Sequence, residues 1–162
     1  MRIRVVVADR SDAVFYDTDY SNSYLDLVGH MVDDKARLPD RAYNSDRPGR
    51  VFNYANVYGG RRGAVAHHST NGENTPSNHE AELFARRIMD FLRSAYQQHA
   101  YDHILLISEP RFLGFLRQAM PEILKKIMIS QLDKDLVHQG EQSIRSHISN
   151  SLFNSSFQSV DK

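Results

Sequence analysis

The sequence predicts an α/β fold on a single mixed β-sheet, ordered β-β-β, long loop, α, β, α, β, α. Three observations predict it. Short β-branched apolar runs crowd the first 30 residues, an amphipathic helical stripe spans residues 81–95, and an unbroken apolar run, Ile104 to Ile107, follows. A three-strand meander followed by two parallel crossover strands is the order of ribonuclease-H-like sheets, which is the predicted fold class.

The elements follow in chain order. Residues 3–8 read as a first strand, 13–18 as a second and 24–29 as a third. The gaps between them are too short for parallel crossovers, so hairpins are expected. Residues 31–78 show little periodicity and many Gly, Pro, Asn and Asp, which predicts a long insertion loop, with a short strand at 51–58. Ala81, Phe84, Ala85, Ile88, Phe91, Leu92 and Ala95 make one helical stripe, and Ser77 with Glu80 reads as the capping box that starts it. Residues 102–108 read as a buried parallel strand. Helices are expected at 110–120, with Pro110 in the first turn, and at 122–126. A last strand is expected at 127–132, and Ile144, Ile148 and Leu152 mark a closing helix.

With 162 residues, the chain is long enough for one domain to bury a core without staples. The expected organisation is a domain at 1–149 carrying loop 31–78, and a Ser- and Asn-rich tail, 150–162, that is flexible or loosely docked. Twenty basic and twenty acidic residues cancel, which argues against a dedicated DNA-coating protein. The absence of cysteine excludes disulfide scaffolds, thiolate metal sites and cysteine nucleophiles. The first apolar run is too short for a secretion signal, and no stretch approaches the ~20 apolar residues of a spanning helix. A soluble, cytoplasmic protein is expected.

Ligands of open α/β sheets tend to bind beyond the carboxyl ends of the parallel strands. The predicted strands place Asp9-Arg10, Ser108-Glu109-Pro110-Arg111 and Asp133-Lys134-Asp135 there, with Glu80 and Glu82 at the start of the long helix nearby. Asp9, Glu80, Glu109 and Asp133 are the candidate catalytic acids. Carboxylates gathered at one rim can hold Mg²⁺, which makes that ion the candidate cofactor of a metal-dependent nuclease. Each acid also has a structural role open to it, as a cap or an ion-pair partner.

Between Arg41 and Gly63 stand five arginines, one acid (Asp46), and Tyr43, Phe52, Tyr54 and Tyr58. Guanidinium forks bind phosphates and aromatic rings stack on bases, so Arg10, Arg47, Arg50, Arg61, Arg62, Arg111 and Lys134 are the candidate phosphate- or RNA-binding residues. The competing reading is a solvated loop whose arginines pair with nearby aspartates. Gly59-Gly60-Arg61-Arg62-Gly63 lacks the Lys-Ser/Thr of a P-loop. The eight histidines show no helix-borne i, i+4 pair; metal binding by His67, His68 and His79 is one reading, and surface histidines are the competing one.

Val7-x-Asp9 with Ala13, residues 45–50 (Ser-Asp-Arg-Pro-Gly-Arg), His79-Glu80-Ala81-Glu82-x-Phe84-Ala85, Pro110-Arg111-Phe112-Leu113-Gly114-x-Leu116-Arg117 and Asp133-Lys134-Asp135-Leu136 occur in this order. Together, over about residues 2–149, they resemble the bacterial host-attachment protein family. The resemblance implies a role in attachment to host cells and a distant similarity to the central domain of archaeal and eukaryotic peptide-chain release factors. That domain has a ribonuclease-H-like sheet and a Gly-Gly-Gln loop that promotes peptidyl-tRNA hydrolysis. Here Gly59-Gly60 is followed by Arg61, and the helix begins some 17 residues later. The expectation is therefore a non-catalytic intracellular binding module that contacts RNA, the ribosome or a protein, and affects attachment indirectly. A metal-dependent nuclease or a release-factor-like peptidyl-tRNA hydrolase is the alternative.

Overall fold

The computed structural model describes residues 1–37 and 75–158, with side chains as far as Leu152. Five strands, β1 (Ile3–Ala8), β2 (Asp12–Thr18), β3 (Asp26–Val32), β4 (His103–Ser108) and β5 (Met128–Asp133), form one mixed sheet in the order β3-β2-β1-β4-β5. The short turns make β1, β2 and β3 antiparallel, and β4 and β5 run parallel to β1. Four α-helices lie against the sheet among the described residues: α1 (Pro76–Gln97), α2 (Pro110–Ala119), α3 (Glu122–Ile127) and α4 (Glu141–Gln158).

Side chains alternate along a strand, so the two central strands feed two cores. Val6, Ala8, Ile104 and Leu106 pack under Phe84, Ile88 and Leu92 of α1 and Phe112 and Leu116 of α2. Val5, Val7, Leu105 and Ile107 pack under Leu136 and under Ile144, Ile148 and Leu152 of α4. Burial on both faces explains why β1 and β4 are apolar at consecutive positions.

Several boundaries differ from expectation. β3 begins at Asp26, opposite Asp17, just after the Tyr24 carbonyl accepts from the Thr18 hydroxyl (2.6 Å), and the strand continues to Val32 along β2. The expected loop 31–78 is therefore shortened at both ends: Met31 and Val32 are strand, Lys35–Arg37 form a 3-10 turn, and Pro76 to Asn78 are helix. Residues 38–74, with the strand expected at 51–58, lie outside the described residues. The Ser77–Glu80 capping box does not form. Thr75 is the N-cap, its hydroxyl accepting from the Asn78 N–H at 3.3 Å, with Pro76 following in the first turn. Proline there gives up no helical bond, because the first N–H groups of a helix have no partner inside it. The closing helix expected around Ile144, Ile148 and Leu152 runs from Glu141 to Gln158; Ser151 and Leu152 are buried, and the Ser151 and Ser130 hydroxyls are hydrogen-bonded.

The register sets where chemistry can gather. Ala8 pairs with Ser108, and Ser108 with Asp133, so the carboxyl ends of all three parallel strands are level on one rim. The residues after each strand, and the first turns of α1 and α2, meet at that edge.

Candidate functional site

The rim is built on the turn between β1 and β2. Asp9 Oδ1 accepts from the backbone N–H of Ser11 (2.7 Å) and of Asp12 (2.7 Å), and lies 3.1 Å from the Ser11 hydroxyl. These donors fix the carboxylate and leave Oδ2 facing His138, whose Nε2 is 3.6 Å away. Asp12 opens β2 with its side chain 6% exposed, its Oδ1 3.2 Å from His30 Nε2. The Ser11 hydroxyl also lies 2.8 Å from Asp12 Oδ2, so it stands between two carboxylates with one proton to give.

The basic groups meet the start of α1. Arg10 Nη2 donates to the Ser77 carbonyl (3.3 Å), and Arg111 Nη2 donates to Asn78 Oδ1 (2.8 Å). Two guanidinium groups, one from the turn after β1 and one from the first turn of α2, thus grip one helix N-terminus. That first turn holds no acid, and the helix dipole places partial positive charge at this end. Glu109 occupies the N-cap position of α2 but makes no side-chain cap bond. Its Oε1 is shielded from solvent without a hydrogen-bond partner, as are Arg10 Nε and the fully buried Ser108 hydroxyl. Asp9, Arg10, Ser11, Ala36, Glu109 and Asp135 line a cavity of about 260 Å³ between these groups.

The predicted site residues are distributed as follows. Asp9, Arg10 and Glu109 share the cavity. Arg111 stands beside it on α2. Asp133 is exposed at the end of β5, level with Ser108, and does not line the cavity; Lys134 is likewise exposed. Glu80 lies on α1, half-buried, also away from the cavity lining. Arg47, Arg50, Arg61 and Arg62, with His67 and His68, lie outside the described residues. Sequence reasoning missed Asp12, His30, Asp135 as a cavity wall, and His138. The signal available was the i, i+3 spacing of Asp9 and Asp12 across a hairpin turn, which puts both carboxylates at the same end of the sheet.

A larger cavity, about 380 Å³, opens at the opposite end of the sheet, lined by Arg2, Asp19, Tyr101 and Asp102 among others. Three of its charged groups, Arg2, Asp19 and Asp102, are already matched. Arg2 donates from its backbone N–H to Asp102 and from its guanidinium to the Ala100 carbonyl, and Asp19 accepts from Ser21 and Ser23. Of the four buried polar side-chain atoms without a partner among the described residues, three (Arg10 Nε, Ser108 Oγ and Glu109 Oε1) are at the rim and one, His103 Nδ1, lies at the start of β4.

A family described as "protein required for attachment to host cells" matches residues 4–148. The chain belongs to this host-attachment family. No curated protein matches it. Among solved structures this family member is similar to an archaeal protein (8% identity, TM-score 0.44), covering 97% of this chain and 38% of that one. It is also similar to an archaeal translation termination factor (9% identity, TM-score 0.44), covering 97% of this chain and 39% of that one. The chain thus spans about two-fifths of the length of these structures. The host-attachment match takes in the whole rim, from Asp9 to His138. No helix of the described residues is long and apolar enough to cross a membrane.

Proposed function

We propose that this host-attachment family member is a non-catalytic intracellular binding module that holds phosphate groups of an RNA partner at the carboxyl rim of its sheet, and that it affects attachment indirectly. We read the sheet, with its three-strand meander and two parallel strands, as the ribonuclease-H-like arrangement expected from the sequence. The observation that supports the binding role is the pair of guanidinium groups, Arg10 and Arg111, closing on the acid-free first turn of α1. A helix N-terminus favours anions through its dipole, and arginine adds charge-assisted hydrogen bonds to phosphate oxygens. The sequence that leads into this turn carries Arg47, Arg50, Arg61 and Arg62 interleaved with aromatics, the composition of a segment that contacts backbone and bases.

The test is binding of a labelled single-stranded RNA, followed by fluorescence anisotropy across a salt series. Affinity falls with salt, and Arg10→Ala with Arg111→Ala weakens binding and lowers the logarithmic salt slope by ~0.7 for each phosphate that is no longer neutralised. Unmeasurable RNA binding at low salt, or a double variant indistinguishable from the parent, removes this reading.

The second reading is metal-assisted phosphodiester cleavage with Mg²⁺. It is favoured by Asp9, Glu109 and Asp135 sharing one cavity wall, since oxygen ligands suit that ion. It predicts Mg²⁺-dependent RNA cleavage that Asp9→Asn abolishes. RNA left intact through prolonged incubation with the parent protein and Mg²⁺ rules it out.

A further inference from the structure

We infer that Asp9, Asp12 and His138 form a site for one divalent metal ion of the Zn²⁺ or Mn²⁺ type, which clips the turn between β1 and β2 to the segment that follows β5. A bound ion needs neither RNA nor turnover; the site shares Asp9 with the metal-assisted reading, and Asp12 and His138 set it apart from that reading.

The geometry comes first. One ligand atom from each of the three residues lies within 4.8 Å of the other two. Ligand arms of ~2.1 Å put ligand atoms ~3.4 Å apart around a tetrahedral ion, so a pair at the 4.8 Å limit closes by roughly 1.4 Å on binding. The Asp9 Oδ2–His138 Nε2 separation of 3.6 Å is long for a hydrogen bond and close to the ~3.4 Å edge of a tetrahedral zinc site. Movement is easiest at His138, which is 72% exposed, whereas Asp9 and Asp12 are 17% and 6% exposed. The two fixed carboxylates are also oriented. Asp9 Oδ1 is held by the Ser11 and Asp12 N–H groups with Oδ2 facing His138, and His30 stands 3.2 Å from Asp12 Oδ1 as an outer partner. Outer contacts of this kind set the aim of metal ligands.

Glu109 lines the cavity beside Asp9 and adds a third carboxylate to the neighbourhood, with Arg10 as the positive charge in the same wall. The ligand set decides which ion. Two carboxylates alone suit Mg²⁺ or Ca²⁺; an imidazole shifts the preference to first-row transition metals and Zn²⁺. Three protein ligands leave a position open to water or to a phosphate oxygen.

The experiment is calorimetric titration of the chelator-treated full chain with zinc chloride. The parent protein binds one Zn²⁺ per chain. His138→Ala, which alters an exposed side chain and leaves the cores intact, weakens binding by more than about tenfold, because even an outer partner of a metal ligand is worth ~10–100-fold. Asp9→Asn does the same, and His147→Gln, on α4 away from the site, leaves binding unchanged. Mn²⁺ loaded at the same site shows hyperfine coupling to an imidazole nitrogen, and His138→Ala removes it. Equal Zn²⁺ affinity in the parent and in His138→Ala overturns the inference, and so does Mn²⁺ without nitrogen coupling. An excess of Mg²⁺ leaves Zn²⁺ bound; ready displacement by equimolar Mg²⁺ also overturns it.

Discussion

Tyr101 shows how one residue is fixed by what surrounds it. It is 3% exposed, its hydroxyl donates to the Leu92 carbonyl at 2.6 Å, and the Arg4 guanidinium sits 4.8 Å from its ring centre. Arg4 is itself buried and paired with Asp17 across β1 and β2. Burial raises the tyrosine's pKa above the ordinary 10.0; the Arg4 charge works against the rise, and Tyr96 and Asp17 add to it. Because the folded value is the higher one, Tyr101 contributes stability that is complete below about pH 10 and declines as the pH climbs toward the raised folded value. Alkaline titration followed by tyrosine ultraviolet absorbance is expected to show a component that ionises only as the fold is lost. Tyr101→Phe removes that component. Ionisation of every tyrosine in the intact fold contradicts the assignment.

At the scale of the element, α1 organises the rim. It is 22 residues long, and its buried face, Ala81, Phe84, Ala85, Ile88, Met89 and Leu92, docks it on the sheet. Its position along the sheet fixes where its N-terminus meets Arg10 and Arg111. Thr75 caps it by accepting from the Asn78 N–H, and the same residue, Asn78, receives Arg111 through its side chain. Thr75→Ala is expected to cost ~1 kcal/mol in denaturant unfolding. In the RNA titration it weakens binding less than the paired arginine substitutions, because both guanidinium groups remain. A Thr75→Ala protein as stable as the parent means another group caps the helix.

The whole molecule is a sheet between two cores, and neither core stands without the strands they share. Leu105 faces Ile144 and Ile148; Leu106 faces the layer of α1 and α2. Leu105→Ala and Leu106→Ala are each expected to cost ~2–5 kcal/mol, as truncations in fully buried sites do. Both are expected to lower one common transition rather than expose a separate melting of either layer, because β1 and β4 belong to both. Separate transitions by near-ultraviolet and far-ultraviolet circular dichroism in either variant contradict that.

Most elements were legible in the sequence because their signals are local. The stripe from Ala81 to Ala95 could bury itself only as a helix, and the short gaps around β2 allowed only hairpins. The Ser77–Glu80 pair misled because a capping box and a proline one residue after a threonine compete for the same turn, and sequence alone does not rank them. The rim was legible as a set of strand ends, so Asp9, Arg10, Glu109 and Arg111 were within reach of inference. Tertiary structure alone decided that Arg10 and Arg111 turn to the first residues of α1, that Asp133 and Glu80 stay outside the cavity wall, and that His138 stands 3.6 Å from Asp9. The physical reason is range. Periodicity and turn chemistry act over a few neighbouring residues, whereas the meeting of Asp9 with His138 depends on the register of β1, β4 and β5 and on where the chain after β5 packs.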